Sequence, residues 1–326
     1  MRLPDELSAA IQQEIENVDY AALVKAAAEL TQHYRAGHFS ALAMKTAAHR
    51  AAYLAARFPA TFAANLHVFS EVRRLAPATE IKSVLDLGAG PGTALCAAVE
   101  VFPSLIHATL VEGERPLIAL GKRITGQSPH TAVRSANWVQ QDIRQAMSWE
   151  PHDLVVASYV LDELPLANAR QAVLAAWQRT KEFLVMVEPG TMRGFNYIDL
   201  MRSMLINAGA HILAPCPHAL KCPMAVAGDW CHFAQRLERT SLHRQIKGGA
   251  LGHEDEKFSY VVFSRMPLEM AQARIVRHPQ KHSGHVQLTL CTPQGLRQQT
   301  IGKSQKERYK LARSTAWGDP WEDPSG

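Results

Sequence analysis

The sequence predicts an α/β fold in which a doubly wound parallel sheet follows a helical region and precedes a cysteine-rich, strand-containing one. Three observations carry that expectation. A short apolar run, Val84-Leu85-Asp86-Leu87, ends in glycines at alternate positions, Gly88, Gly90 and Gly92, and the helix-forming segment Ala94 to Val99 follows at once. Strand-like and helix-like segments then alternate as far as Gly190, the pattern of a parallel sheet covered on both faces. From about Gly209 long periodic segments give way to a stretch rich in His, Cys, Pro and Gly. The expected divisions are residues 1–78, 79–208 and 209–326.

The first division reads as helical. Ile11, Ile15, Tyr20, Leu23, Val24 and Leu30 recur at near-helical spacing, as do Leu54, Phe58, Phe62, Leu66, Phe69 and Val72, interrupted at Pro59. Between them lies a basic and aromatic group, Tyr34, Arg35, His38, Lys45, Arg50, Tyr53 and Arg57. It is either the wet face of a helical cap or an RNA-facing surface, since Arg and Tyr provide phosphate contacts and stacking.

In the second division Ala108 to Glu112 is the next strand, ending in an acid, and Pro116 to Ile124 a helix. Trp138 to Asp142 is a third strand with an acid at its end, and His152 to Tyr159 a fourth. Ala167 to Thr180 reads as a helix and Phe183 to Gly190 as a fifth strand. A ligand in such a sheet sits beyond the carboxyl ends of the strands. In the third division Phe258 to Phe263, His285 to Leu290 and Leu296 to Ile301 are strand candidates. The ending Trp317-Gly318-Asp319-Pro320-Trp321 is expected to be ordered or docked, because two tryptophans are costly to leave in water.

Composition narrows the function classes. With 47% hydrophobic and 20% charged residues the chain is ordinary globular protein, and no apolar run is long enough to span a membrane. Met1 to Asp19 lacks a signal-peptide core, and Asp5, Glu6, Glu14 and Glu16 disfavour an acid-poor transit peptide, so a cytoplasmic protein is expected. The net charge is +5, concentrated in Arg274, Arg277, Lys281, Arg297, Lys303, Lys306, Arg308 and Lys310. That asymmetry points to a nucleic-acid surface or a solvated basic face.

The glycine turn narrows the cofactor. A nicotinamide fingerprint places its third glycine one position later. Asp86, two residues before Gly88, together with the acid ending the next strand, resembles the class I S-adenosylmethionine-dependent methyltransferases, a Rossmann-like fold. The resemblance implies that Asp86 holds the amino end of the methionine, Glu112 the ribose hydroxyls and Asp142 the adenine amine. Gly88, Gly90 and Gly92 would be points of backbone approach. Amino-methylating members of that class usually carry an Asn/Asp-Pro-Pro-aromatic turn after the fourth strand; here the turn is Ser158-Tyr159-Val160-Leu161-Asp162-Glu163-Leu164-Pro165. Pyrimidine carbon-5 methylation needs a thiolate nucleophile, and Cys96 sits on the helix after the glycine turn, the place of a packed thiol. Tyr159, Asp162 and Glu163 are the acid–base candidates. The sequence specifies a holder for a methyl donor and leaves the transfer step open.

Four of the five cysteines lie late in the chain: Cys216, Cys222 and Cys231 with the spacing C-x5-C-x8-C, then Cys291. Zinc ribbons usually show tight C-x2–4-C pairs. Four thiolates on loosely spaced loops suit a [4Fe–4S] cluster equally well, and His218 and His232 keep a Cys/His zinc site open. The three-cysteine motif of S-adenosylmethionine radical enzymes is absent from the sequence. Together with the glycine motif and the ending Tyr309-Lys310-Leu311-Ala312-Arg313…Trp317-Gly318-Asp319, this set resembles the methyltransferase-like small-ribosomal-subunit family. Its mitochondrial members are assembly factors or components of the small mitoribosomal subunit. The likeness runs from the Phe58 to Ala64 helix almost to the C-terminus, and the start of this chain points to a bacterial relative. It implies a [4Fe–4S] cluster on Cys216, Cys222, Cys231 and Cys291, a C-terminal iron–sulfur/β extension, and binding to 16S rRNA in the small subunit or its precursor. Three readings stand at this point: an rRNA methyltransferase acting in ribosome assembly or translation, a non-catalytic assembly factor that binds the cofactor, and a zinc-containing small-molecule methyltransferase.

Overall fold

A computed structural model describes residues 1–35, 44–145, 149–239 and 252–323, with backbone only for Tyr34 and Arg35. Among the described residues four helices come first: α1 (Asp5–Glu16), α2 (Tyr20–Arg35), α3 (Ala47–Ala56) and α4 (Phe58–Leu75). Pro59 explains the interruption in the apolar pattern. It lies in the first turn of α4, where a missing N–H leaves no bond unmade, and so it separates α4 from α3.

The central sheet follows. Its first strands are β1 (Ser83–Leu87), β2 (His107–Glu112), β3 (Asn137–Gln140), β4 (His152–Ser158) and β5 (Thr180–Pro189), all parallel to one another. They are linked by α5 (Thr93–Val101), α6 (Arg115–Thr125), α7 (Thr131–Arg134) and α8 (Leu166–Gln178), and α9 (Met192–Asn207) follows β5. Three further strands then join: β6 (His211–Ala214), β7 (Phe233–Glu238) and β8 (His253–Ser264). The strand order is β3-β2-β1-β4-β5-β8-β6, with β7 also on β8. β8 runs antiparallel to β5 on one edge; on its other edge β7 pairs with its start and β6 with its end.

The expected boundary at residues 208 and 209 therefore falls inside the sheet, which extends to Ser264. The charged start of β8, His253-Glu254-Asp255-Glu256-Lys257, hides its strand character; pairing with β7 holds that part extended.

β5 illustrates how the two faces are sealed. Phe183, Val185 and Val187 join the core under α1 to α5, while Leu184 and Met186 join that under α8 and α9. A strand buried on both faces is apolar at every position, which is why no alternation marks it in the sequence.

The C-terminal part adds a smaller antiparallel sheet of β9 (Ala273–Ile275), β10 (Gln280–Lys281), β11 (His285–Thr292), β12 (Gly295–Gly302) and β13 (Pro320–Trp321). After a short helix α10 (Pro223–Val226), helix α11 (Lys306–Ser314) packs on β11 and β12. Its core contains Ile275, Val286, Leu288, Ile301 and Trp321. The tail is ordered as its tryptophans require: Trp321 is buried and β13 pairs with β9.

Candidate functional site

The sheet's order reverses between β1 and β4, and a cavity of about 610 Å³ opens beyond their carboxyl ends. The turn after β1 is shaped by left-handed backbone at Gly88, Gly90 and Gly92, with φ of +69°, +54° and +86°. At Gly88 space matters as well as conformation, since a Cβ there would lie 2.3 Å from Cγ2 of Val160 on the turn after β4. At Gly90 a Cβ would meet nothing within 4 Å, because the residue faces the open cavity. Gly92 does not line the cavity; a Cβ there would press on Leu110 and Trp138.

Asp86, Glu112 and Asp142 all line this space, as expected from their places at or beyond the ends of β1, β2 and β3. Asp86 is 1% exposed, and its Oδ2 has no hydrogen-bond partner. Burial, with Glu112 adding repulsion, pushes its pKa up to about 7. Glu112 accepts the Gly90 N–H on Oε2 (2.9 Å) and the Glu114 N–H on Oε1 (2.8 Å). Burial raises its pKa, and these backbone donors oppose the rise. β3 stops at Gln140, short of the expected end at Asp142. Asp142 instead lies in the following turn, where it accepts the Arg144 N–H (2.9 Å) and the Arg144 guanidinium, which holds its pKa down.

The acid–base candidates divide. The Tyr159 hydroxyl donates to Glu256 Oε1 (3.0 Å), and Arg57 donates to both oxygens of the same carboxylate. Tyr159 has φ of +56°, a left-handed backbone for a bulky side chain, held by this three-element network. Burial first, then the charge of Glu256, raises its pKa well above the ordinary value, so its hydroxyl stays protonated. Asp162 is 1% exposed and shares a buried carboxyl pair with Glu188, which is fully buried and accepts the Leu161 N–H (2.8 Å). Both have raised pKa values, chiefly from burial. Glu163 is open to the cavity. Burial against the cavity wall, with repulsion from Asp162 and Glu112 added, pushes its pKa up to about 8, so its carboxyl is largely neutral at neutral pH. Cys96 is buried on α5, with its thiol pushed up to about 12 by burial, as expected of a packed residue.

The basic and aromatic group near the N-terminus does not form one outward face. Tyr53 and Arg57 turn into the cavity, and Arg50 donates to the carbonyls of Met44 and Lys45. His38 and the side chains of Tyr34 and Arg35 lie outside the described residues. Asn65 on α4, fully buried, donates to the Ser158 hydroxyl (2.9 Å) at the end of β4.

The four late cysteines come from β11 and from the loops after β6 and before β7, and all line one cavity of about 30 Å³. Cys222 immediately precedes a short helix, α10 (Pro223–Val226), and Cys291 lies on β11. Burial first, then repulsion among the thiols, raises Cys222 to about 11 and Cys291 to about 12. The Arg202 Nε donates to Cys216 Sγ (3.3 Å), and its Nη2 donates to the carbonyls of His218 and Leu220 (2.8 Å each). Arg274, paired in register with Cys291, is 2% exposed and donates to the carbonyls of Pro215 and Gly318 and to Glu71. His218 Nε2 lies 3.7 Å from Cys291 Sγ, whereas His232 stacks on Trp230 and meets Trp317 edge-on. Among the described residues no group of three or more Cys, His, Asp or Glu is set to hold a single metal ion.

The basic C-terminal stretch is split. Arg274, Arg277 and Arg308 pair internally with Glu71, Asp229 and Asp323. Lys281, Arg297, Lys303, Lys306 and Lys310 are exposed. The network of Arg57, Glu256 and Tyr159, and the buried cations Arg202 and Arg274, had no local signal: their partners lie up to 203 residues away.

Among solved structures, magnesium protoporphyrin IX methyltransferase from Synechocystis PCC 6803 aligns with a TM-score of 0.41 at 10% identity, covering 64% of this chain and 80% of that one. Among sequences, the chain is 29% identical over 286 residues to the mitochondrial ribosome assembly protein METTL17 of Homo sapiens, covering 82% of this chain and 61% of that protein. It is 27% identical over 322 residues to the mitochondrial Rsm22-cox11 tandem protein 2 of Schizosaccharomyces pombe, covering 82% and 42%. The chain thus spans about half the length of these relatives. The family described as mitochondrial small ribosomal subunit Rsm22 matches residues 47–322, a span that takes in both cavities and the C-terminal sheet. By that match the chain belongs to the Rsm22 family.

Proposed function

We propose that this chain is an rRNA-binding, methyltransferase-like factor of the small ribosomal subunit, acting in the cytoplasm in subunit assembly or translation. It would hold S-adenosylmethionine in the cavity around Asp86 and a [4Fe–4S] cluster on Cys216, Cys222, Cys231 and Cys291. The observation that carries this reading is the convergence of those four cysteines on one buried cavity, within a chain that matches the Rsm22 family over residues 47–322.

The residues fit both groups. The orphaned, buried Asp86 Oδ2 offers an acceptor for the donor's ammonium. Glu112, already fixed by two backbone N–H groups, keeps lone pairs for ribose hydroxyls, and the bare backbone at Gly90 admits close approach. Four sulfurs, those of Cys222 and Cys291 buried and those of Cys216 and Cys231 half-buried, form a soft donor set, and the hydrogen bond from Arg202 to Cys216 Sγ would orient a ligating thiolate. When bound, the donor supplies a transferable methyl group and the cluster a four-way cross-link. The exposed lysines and Arg297 supply phosphate contacts.

One observation favours a non-catalytic assembly factor over an rRNA methyltransferase. Tyr159 and Asp162 are engaged with Glu256 and Glu188, which leaves Glu163 as the candidate open to the cavity. Labelled methyl transfer to 16S rRNA or to immature small subunits, lost in Asp86→Ala, would establish the enzyme. Donor binding without transfer to either would establish the assembly factor. Iron and acid-labile sulfide in the purified protein test the cluster, and Cys291→Ser should lose iron and rRNA affinity together. Unchanged rRNA affinity in the iron-free variant would refute that link.

A further inference from the structure

The cavity beyond β1 and β4 and the cavity of the four cysteines are joined through the end of β5 and the middle of β8. Trp230, next to Cys231, packs with Phe195, Cys222 and Cys291, and its Nε1 donates to the carbonyl of Gly190, immediately after β5 (3.1 Å). The carbonyl of Cys231 accepts the hydroxyl of Ser259 on β8 (2.8 Å). Ser259 is the register partner of Glu188, and Phe258 that of Pro189.

From these two strands each contact continues to the donor side. Pro189 lines the donor cavity. Glu188 accepts the Leu161 N–H (2.8 Å), and the neighbouring Val160 is the residue that closes on Gly88. Glu256, also on β8, fastens Tyr159 and Arg57, which line the same cavity. The path has little slack. The Gly190 N–H donates to the Lys257 carbonyl (2.9 Å), and a Cβ on Gly190 would lie 2.7 Å from the Phe258 nitrogen. Contacts packed this closely pass a displacement on instead of absorbing it. Residues 215–232, which carry three of the cysteines, are by contrast irregular chain apart from the four-residue α10.

Resting on the donor and metal sites proposed above, we infer that the two are coupled: occupancy of the cysteine site tightens binding of S-adenosylmethionine, through Trp230 and Ser259. Joining Cys231 to the other three ligands fixes the irregular segment, and with it the two hydrogen bonds that hold Gly190 and β8. Pro189, Tyr159 and the turn after β4 then stand in place before the donor arrives, so less ordering opposes its binding. Such coupling is reciprocal, and bound donor holds the metal in turn. In an assembly factor this makes one chain answer to two supplies, iron–sulfur centres and methyl donor, and reach its ordered form when both are present.

Equilibrium binding of S-adenosylmethionine tests this on the full-length protein, either reconstituted with ferrous iron and sulfide or stripped by a chelator. Couplings between sites run from about 5-fold to about 150-fold, so the stripped protein should bind the donor at least about fivefold more weakly. Trp230→Phe combined with Ser259→Ala removes the indole N–H and the hydroxyl and leaves all four cysteines. This variant should keep its iron. When loaded it should bind the donor at least about fivefold more weakly than loaded native protein, and stripping it should cost less than about twofold more. The comparison of the two loaded proteins holds even where stripping unfolds the chain. Donor should also protect iron from the chelator in the native protein and not in the variant. Equal donor affinity of loaded and stripped native protein overturns the inference and leaves both sites standing. A variant whose affinity depends on iron as strongly as the native protein's overturns the route through Trp230 and Ser259. Iron uptake without donor binding refutes the donor site, donor binding without iron uptake refutes the metal site, and the inference falls with either.

Discussion

Replacing Asp86 by Asn should stabilise the ligand-free protein at neutral pH while abolishing donor binding. The Asp86 carboxyl is buried beside Glu112 with an unpartnered oxygen, and its pKa rises from 3.8 to about 7. Because the folded value lies above the unfolded one, the folded state binds the proton more tightly. The stability that this supplies is complete below about pH 4 and is lost as the pH climbs to about 7. At about 1.4 kcal/mol per pH unit the whole effect is about 4 kcal/mol, of which about 3 kcal/mol falls between about pH 5 and pH 8. Asn carries no charge and should show none of this loss. Urea unfolding of both proteins across that range, followed by tryptophan fluorescence, should give a stability difference that grows in favour of the variant up to about pH 7 and is flat above it. A difference independent of pH would refute the account of Asp86 as a charge held ready for a ligand. Added S-adenosylmethionine should reverse the order at pH 8 by stabilising the native protein alone.

Arg274→Ala should cost about 3–5 kcal/mol, because it strips a buried cation from Glu71 and leaves the carbonyls of Pro215 and Gly318 without a donor. Glu71 keeps Arg74, which places the cost toward the lower end. Hydrogen exchange should quicken first around Pro215 and Gly318; a loss under about 1 kcal/mol would show that water replaces the guanidinium. Gly88→Ala should eliminate donor binding and destabilise the chain, since its Cβ would clash with Val160, whereas Gly90→Ala should cost only about 1 kcal/mol of backbone strain. Equal effects of the two substitutions on thermal unfolding would contradict the packing described at Gly88. Binding to 16S rRNA should weaken as salt rises, and Lys306→Ala with Lys310→Ala should lower the slope of log affinity against log salt by about 1.4–1.8. An unchanged slope would place the RNA elsewhere.

The parts of this fold set by local chemistry were legible in the sequence. Val84 to Thr93 announces a strand, a turn that needs left-handed backbone and a helix, and all three are present with Gly88, Gly90 and Gly92 at positive φ. Pro59 marks the start of a helix because its ring tolerates few other places there. What depends on long-range pairing was not legible. Phe258 to Phe263 reads as a strand, yet nothing in those residues says that Val262 lies beside Val185 rather than in a separate C-terminal sheet. The same holds for Arg57, which reads as a surface cation and instead clamps Glu256, 199 residues on. Tyr159 and Asp162 stood out as acid–base candidates by position, but partners on β8 and β5 consume them. The cysteines were legible as a set because four soft ligands late in one chain are uncommon; that they would share one site followed from the family resemblance, and what the residues alone did not show is that Cys291 reaches it on a strand of another sheet.

The place of β8 has a consequence for how the chain is made. It lies between β5 and β6 but leaves the ribosome after both, so until Ser264 has emerged β5 is an open edge with the apolar run Phe183 to Val187 and an unpaired backbone. The loop bearing Cys216, Cys222 and Cys231 is also out by then, while Cys291 is still to come. A chain cut before Ser264 would therefore display a sticky β edge and three waiting thiols, and it should aggregate instead of yielding a smaller folded protein.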